Sequence, residues 1–186
     1  MSFKIRLATL QDIPALVELI AESVRSLSAP YYTQARTESA LTHIFGIDTQ
    51  LILDGTYFVV EASEETSEHG GEVVGCGGWS KRKTLFGGDQ AKSGNVDNLL
   101  KPGSDAARLR AFYVHPNWAR RGIGALIIRT CEAAARAAGF TRLELIATLP
   151  GEPLYSASGY EIIAPFEIPL PGNDSLPGFR MAKDLA

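Results

Sequence analysis

The sequence predicts an α/β fold in which a mixed sheet is covered by helices. Apolar residues that alternate with polar ones, as in Phe3, Ile5 and Leu7, are typical of a half-buried strand. Apolar residues three and four positions apart, as in Leu16 and Ile20, are typical of a helix with one buried face. The predicted order of elements is β-α-α-β-β-β-α-β-α-β-β. Within this order, the strand–helix–strand passage predicts one central parallel crossover.

The N-terminal part of the chain is predicted to contain a strand, two helices and an antiparallel hairpin. Asp12 is expected to cap the first helix. Glycines at 75, 77 and 78 predict a bulge, or the close approach of another backbone, in the second hairpin strand. The predicted elements are strand 3–8, helix 13–27, helix 37–45, strand 57–62, a polar turn over 63–71, and strand 72–80.

The C-terminal part follows a long loop over residues 81–105. Loops of this length are usually functional lids, interface arms or mobile segments. Ile123, Ile127 and Cys131 fall on one stripe, which predicts the clearest helix in the chain. The predicted elements are strand 107–114, helix 122–138, strand 143–147, a short helix over 151–158, strand 160–168, an irregular connection over 169–174, and strand 179–185.

Composition predicts one globular domain over residues 1–186. The chain is 45% hydrophobic and 21% charged, close to globular averages, which excludes a largely disordered protein. It has 18 Lys and Arg against 21 Asp and Glu, so the net charge is −3 and the basic excess of a nucleic-acid-binding surface is absent. No run of about 20 apolar residues is present, so we expect no membrane partner.

The two cysteines indicate a compartment and argue against a metal site. Cys76 and Cys131 are far apart in the sequence and suit a reducing cytoplasm better than a disulfide-stabilised fold. They cannot form a zinc site by themselves, and no group of His, Cys and acidic residues has zinc spacing. We therefore expect a cytoplasmic protein without a metal.

The most informative segment joins the predicted strand 107–114 to the predicted helix 122–138. The short loop between them carries Arg120 and Arg121, and Gly122 and Gly124 open the helix. A helix start leaves about four N–H groups unpaired and carries about half a positive charge. Glycines let those groups approach an anion closely, so the segment predicts a phosphate or pyrophosphate site. The alternative is a glycine-started helix with solvated arginines.

Two familiar phosphate-binding loops do not fit this segment. The chain has no Gly-x-x-x-x-Gly-Lys-Ser/Thr run, which excludes a P-loop. Gly122 and Gly124 are followed by Ala125, Leu126 and Ile127, so the third glycine of a dinucleotide-binding fingerprint is missing.

The run Phe112-Tyr113-Val114-His115-Pro116, followed by Arg120-Arg121-Gly122-Ile123-Gly124, resembles the acyl-CoA-binding motif of the GNAT superfamily of N-acetyltransferases. The run Leu154-Tyr155-Ser156-Ala157-Ser158-Gly159-Tyr160 is similar to the Phe-Tyr-x-x-x-Gly-Phe segment of that family. The resemblance covers nearly the whole chain. It departs from the family at Ala119, where Gln or Arg is common, and at Thr148, where Asn is common.

This resemblance implies a GNAT-like fold and transfer of an acetyl group from acetyl-CoA to a primary amine by direct attack. Tyr155 would protonate the departing thiolate. The backbone of Phe112, Tyr113 and Val114 would bind the co-substrate. Its pyrophosphate would rest on the loop and helix start, formed by Ala119, Arg120, Arg121, Gly122, Ile123, Gly124 and Ala125.

The acceptor pocket is less clearly marked. Tyr31 and Tyr32 lie between the first two helices, and Trp79 ends a strand that faces the same region of the resembled fold. They are candidates for the pocket, with packing as the alternative for each. The acceptor itself, a small-molecule or a protein amine, stays open. The strands near the C-terminus are candidates for a homodimer interface.

The general base also stays open, because the strand 107–114 contains no acid. Glu61, Glu72 and Glu144 are candidates, and a chain of ordered water is the alternative. Two other functions remain: a catalytically idle module that senses acyl-CoA, and a structural domain whose glycine loop binds nothing.

Overall fold

One seven-stranded sheet connects the described residues, which are 2–63, 71–92 and 97–185 of a computed structural model. Its order is β1-β2-β3-β4-β5-β7-β6. The β4–β5 pair is parallel and the other neighbouring pairs are antiparallel, which confirms the predicted single parallel crossover. The strands are β1 (Ser2–Leu7), β2 (Tyr57–Ser63), β3 (Glu72–Ser80), β4 (Ala107–Val114), β5 (Arg142–Thr148), β6 (Glu161–Leu170) and β7 (Asp174–Asp184).

Within the described residues, five α-helices cover the two faces of this sheet. Apolar residues of α1 and α3 pack with Tyr57, Val59 and Cys76 on one face, and α2 packs against the hairpin formed by β6 and β7. The apolar stripe of α4 packs on the other face, where α5 joins it. The helices are α1 (Ile13–Ser28), α2 (Gln34–His43), α3 (Thr49–Leu53), α4 (Ile123–Ala137) and α5 (Glu152–Ala157).

Glycines in β3 allow α4 to lie directly on the strand backbone. A Cβ atom at Gly75 would lie 2.5 Å from Cγ2 of Ile123. A Cβ atom at Gly77 would lie 2.8 Å from the ring of Phe112 and 2.9 Å from Cγ2 of Ile127. No side chain fits at these distances, and the atoms that approach Gly75 and Gly77 most closely belong to side chains. The predicted close approach of another backbone occurs at Gly78, where a Cβ atom would lie 2.6 Å from the Thr56 carbonyl oxygen.

The parallel ladder between β4 and β5 is short. It contains the pairs Ala107–Leu143 and Arg108–Glu144, and the strands separate beyond them. On the other side of β4, the register against β3 shifts, so that Ala111 and Phe112 together oppose one residue of β3. This is a β-bulge, and bulges bend a strand and increase its twist.

The bulge has a backbone conformation that is unusual for alanine, and a buried tyrosine forms a hydrogen bond with it. Ala111 has φ 56°, in the left-handed region that non-glycine residues rarely adopt. The hydroxyl of the buried Tyr57 donates a hydrogen bond of 2.9 Å to the Ala111 carbonyl. Tyr57 therefore helps to hold β4 in the bent conformation that separates it from β5.

The structure differs from the sequence prediction at the start of α1 and at α3. The Asp12 side chain does not cap α1; it accepts a hydrogen bond of 2.7 Å from the Thr9 amide and pairs with Arg6 at 2.8 Å. A 3₁₀ turn over Leu10–Asp12 precedes the helix. The five-residue helix α3 was not predicted, because five residues are too few to show a helical period.

The C-terminal hairpin is longer than predicted. The segment 169–174, expected to be irregular, contains the end of β6, a tight turn and the start of β7. Proline is compatible with β6 because β6 is an edge strand of the sheet. Gly172 and Asn173 form the turn with φ values of 78° and 56°.

The predicted polar turn 63–71 lies almost wholly outside the described residues. Among the residues that are described, no helix is long and apolar enough to cross a membrane, and no group of three or more His, Cys, Asp and Glu could hold a metal ion.

The glycine contact between β3 and α4 is testable by one added methyl group. Gly77→Ala places a Cβ atom against Phe112 and Ile127, so α4 must shift away from the sheet. We expect the free energy of unfolding to fall by about 1–3 kcal/mol, as for other overpacked cores, measured by urea denaturation. Gly46→Ala is the matched control, because its Cβ would meet the end of the Gln90 side chain. Equal losses in both variants would contradict this packing.

Candidate active site

A cleft opens where β4 and β5 separate. Its volume is about 210 Å³, and both strands line it. Its other walls come from α1, from α5 and from the long loop before β4. The lining residues are residues 109–114, Ile146, Thr148, Ser23, Val24, Leu27, Ser28, Phe45, residues 85–87, Pro150, Gly151, Leu154 and Tyr155.

The start of α4 has the unpaired amides that the sequence predicted. Within the described chain, the N–H groups of residues 120–125 donate no hydrogen bond, and the Leu126 N–H is the first to do so, to the Gly122 carbonyl at 2.9 Å. Arg120 and Gly122 have φ values of 65° and 84°. The Arg121 guanidinium lies 4.8 Å from the centroid of the Trp118 ring. Such a loop can bind an anion through backbone N–H groups and arginine charge.

Gly124 also has a packing role. A Cβ atom at this position would lie 2.6 Å from Cδ2 of Leu154 on α5. The glycine therefore lets α5 lie against the start of α4. We call α5 the tyrosine helix because it carries Tyr155. The contact with Gly124 places this helix beside the predicted anion site.

The three β4 residues predicted to bind a co-substrate, Phe112, Tyr113 and Val114, line the cleft. The Val114 amide already has a partner, since it donates a hydrogen bond of 3.3 Å to the Ser23 hydroxyl of α1. Beyond Arg108, no residue of β4 pairs with β5, so this edge of the strand faces the cleft.

Tyr155 lines the cleft and its ring is held by aromatic neighbours. The side chain is 8% exposed. Its ring makes edge-to-face contacts with Phe112 and Tyr160, at centroid distances of 6.0 and 6.1 Å. No described residue forms a hydrogen bond with its hydroxyl. Burial raises the pKa of Tyr155 well above its usual value, so the phenol stays protonated at neutral and moderately alkaline pH.

A partly buried ion pair fixes the end of α5. Lys183 Nζ lies 2.8 Å from the Glu132 carboxylate and donates a hydrogen bond of 2.9 Å to the Ser158 carbonyl at the end of the helix. The Tyr160 hydroxyl donates to the same carboxylate at 3.1 Å. These contacts hold the tyrosine helix against α4 and β7.

The structure does not bring Tyr31, Tyr32 or Trp79 to the cleft. Tyr31 is about half exposed, while Trp79 is buried and makes an edge-to-face contact with Phe140 in the core. The Tyr32 hydroxyl donates to the Pro177 carbonyl at 2.7 Å and accepts from the Leu149 amide at 2.8 Å. These contacts fit the packing alternative for Tyr32 and Trp79.

The candidate general bases also lie outside the cleft. Glu61 pairs with Arg6 at 2.7 Å, and Glu144 pairs with Arg108 and Arg180 at 3.1 and 2.7 Å. Glu72 is exposed at the start of β3. None of the carboxylates in the described residues lines the cleft.

Sequence reasoning missed the residues that form the outer walls of the cleft. Phe45 follows α2, and residues 85–87 belong to the long loop. The loop is tied to the body by an Arg82–Asp54 ion pair of 2.6 Å and by Lys92 bound to Asp48. Arg110, the second of two arginines in a strand whose other residues are apolar, was the signal in the sequence that could have found this side of the site.

The sequence model of the acetyltransferase (GNAT) family matches residues 21–160. The chain belongs to this family. The matched region runs from within α1 to the residue before β6, so it includes the helix-start loop and the tyrosine helix of this GNAT acyltransferase. No curated protein sequence is similar enough to the chain to count as a match.

Solved structures share the fold at low sequence identity. A GCN5-related N-acetyltransferase from Rhodopseudomonas palustris is 19% identical, with a TM-score of 0.66, covering 100% of this chain and 97% of that one. The PaiA N-acetyltransferase from Thermoplasma acidophilum, solved in complex with coenzyme A, is 15% identical, with a TM-score of 0.61 and 99% of both chains covered. The ribosomal-protein-S18-alanine N-acetyltransferase from Escherichia coli is 13% identical, with a TM-score of 0.57, covering 100% of this chain and 95% of that one.

Proposed function

We propose that this protein transfers an acetyl group from acetyl-CoA to a primary amine. The unpaired N–H groups at the start of α4, directly after the strand that lines the cleft, carry this proposal. Family membership supports acyl transfer, and the coenzyme A bound to the Thermoplasma relative is consistent with a coenzyme A ester as the donor.

The residues present fit the diphosphate of coenzyme A. Residues 120–125 offer unpaired backbone N–H groups at a helix start, and Arg120 and Arg121 add two positive charges there. The Ala119 N–H, also predicted to bind, already donates to the Pro116 carbonyl at 3.2 Å. No carbonyl of the described chain accepts a hydrogen bond from residues 120–125, so an anion does not have to displace an internal contact. The open edge of β4 at Phe112 and Tyr113 would hold the rest of the donor along the cleft.

In the reaction, the amine nitrogen forms a bond to the thioester carbonyl carbon, and the bond from that carbon to sulfur breaks. The acetyl group ends on nitrogen and the thiolate leaves. The protein supplies positioning in the cleft, which converts a bimolecular step into an intramolecular one. Tyr155 donates a hydrogen bond to the departing sulfur. Because its pKa is raised, the phenol is a weak acid, and this hydrogen bond contributes more than full proton transfer.

The acceptor must lose a proton before it attacks, because an alkylammonium group has a pKa of about 10.4. No carboxylate of the described residues lines the cleft, so the proton leaves through water. We therefore expect the rate to rise with pH as the neutral amine becomes more abundant.

The second candidate function is a catalytically idle module that binds acyl-CoA. The lack of a described carboxylate in the cleft favours this alternative. Turnover distinguishes the two, since both bind the donor and only the enzyme releases free coenzyme A when an amine is added.

Charge reversal tests the diphosphate site. Arg120→Glu replaces a positive charge beside the unpaired amides with a negative one, and we expect the Kd for coenzyme A to rise about tenfold, equivalent to about 1.4 kcal/mol. The weakening should decrease at high salt, because exposed charges are screened. Isothermal calorimetry measures both effects. Arg129→Glu, an equal reversal at an exposed position of α4, is the control. Equal weakening in both variants would show a general charge effect.

Removal of one hydroxyl tests Tyr155. Tyr155→Phe should lower kcat about 100-fold and leave the affinity for coenzyme A unchanged, because the hydroxyl acts on the departing sulfur. Tyr160→Phe is the matched control, since it removes the neighbouring hydroxyl, which binds Glu132, and should lower stability more than kcat. A thiol-release assay measures turnover.

The pH profile gives a second readout for the same residue. The raised pKa of Tyr155 means that its donor proton is lost at higher pH than from an ordinary phenol. The wild-type rate should therefore rise with pH and show no decline up to about pH 10, the ordinary phenol value. A decline at lower pH that Tyr155→Phe abolishes would contradict the raised pKa, and an unchanged kcat in that variant would contradict the donor role.

A further inference from the structure

Arg110 is the one charged side chain that lines the cleft as far as the structure describes it. Its side chain is 2% exposed. The surrounding walls are largely apolar, with Leu27, Phe45 and Phe86 among them. Burial of a guanidinium against apolar walls is unfavourable unless the charge is paired and its donors are used.

The guanidinium is held by Gly87, which also lines the cleft, and by Asp48, which does not. Its Nη2 donates a hydrogen bond of 2.5 Å to the Gly87 carbonyl of the long loop. The same atom lies 2.8 Å from Oδ2 of the fully buried Asp48, as an ion pair without hydrogen-bond geometry. Lys92 binds the other carboxylate oxygen of Asp48, and Asp89 lies 3.3 Å from Lys92 at the exposed end of this cluster.

The other two nitrogens of the Arg110 guanidinium donate no hydrogen bond to any described residue. Its Nε is buried and has no hydrogen-bond partner. Its Nη1 donates no hydrogen bond to any described residue. A guanidinium has five N–H donors in a fixed plane, and the contacts to Gly87 and Asp48 involve Nη2 alone. A purely structural link between β4 and the loop does not account for the remaining donors.

We propose that Arg110 binds a carboxylate of the acceptor, so that the substrate is a small amine that also carries an acid group. This inference rests on the proposed function. Arginine and carboxylate form charge-assisted hydrogen bonds that are stronger than neutral ones, and more so away from water. Leu27, Phe45 and Phe86 would contact an apolar part of the same molecule. A fixed cation in the cleft disfavours polycationic acceptors, although the net charge of the chain is −3.

Matched acceptors test the proposal with the full-length protein and acetyl-CoA. One set is L-phenylalanine, L-phenylalaninamide and 2-phenylethylamine. A second set is 4-aminobutanoate, 4-aminobutanamide and propylamine, in which the amine is farther from the acid group. A thiol-release assay gives kcat/KM for each acceptor. Each value is calculated from the concentration of the unprotonated amine, which removes the effect of differences in amine pKa.

In at least one set, we expect the wild-type kcat/KM for the acid to exceed that for its amide by about tenfold or more. This is the fold-change that one hydrogen bond to a charged group produces. Arg110→Gln should remove this preference and leave the KM for acetyl-CoA unchanged, and Arg110→Lys should restore part of it. Lys92→Gln loosens the loop but keeps Arg110, so it should retain the preference. Arg25→Gln removes an exposed guanidinium that pairs with Glu38, and it is the matched control.

Three results would overturn the proposal. The first is wild-type preference for the amides or the simple amines. The second is an equal loss for acid and amide in Arg110→Gln, which would show a structural role. The third is that no acid is acetylated although an amide or a simple amine is; if acetyl-CoA binds and no amine is acetylated, the proposed function itself fails in favour of the idle module. If Arg110→Gln does not fold, the acid-to-amide ratios of kcat/KM for the wild-type protein and for Arg110→Lys test the proposal. Failure of acetyl-CoA to bind the wild-type protein would instead overturn the proposed function, and this inference with it.

Discussion

The early end of the β4–β5 ladder is the constraint on which the site depends. Parallel strands normally continue to pair, and here the pairing stops after Arg108 and Glu144. The bulge at Ala111, held by the buried Tyr57 hydroxyl, bends β4 away from β5. The glycines of β3 keep α4 close to the sheet, so the unpaired start of that helix lies at the end of the same strand. The cleft and the proposed anion site therefore both depend on the position of one strand.

The charges inside the cleft differ from those of the whole chain. The net charge of −3 would suit a cationic acceptor, but the described walls of the cleft contain an arginine and no carboxylate. Of the three acids that were candidates for the base, Glu61 and Glu144 pair with arginines outside the cleft, and Glu72 is exposed. In the proposed reaction, the site would therefore act by positioning and hydrogen bonding, and the proton of the acceptor would leave through water.

Much of the fold could be predicted from the sequence because its elements have strong local periods. The stripe of α4 and the alternation in β5 indicated their own boundaries, and Gly122 and Gly124 marked the helix start. The outer walls of the cleft could not be predicted in this way. Phe45 and Phe86 are brought together by long-range packing, and Tyr32 and Trp79 have the residue types of a pocket but are used by the core. Local patterns do not specify which partner a loop residue contacts.

Amide hydrogen exchange of the ¹⁵N-labelled protein, followed by NMR with and without coenzyme A, tests whether the start of α4 binds the coenzyme. We predict that the amides of residues 121–125 exchange rapidly in the free protein, while the amide of Leu126, which is bonded to Gly122, is protected. Coenzyme A should then protect and shift the amides of residues 121–125 more than the rest of α4. Protection of these amides in the free protein, or binding of coenzyme A that leaves them unchanged, would contradict the account.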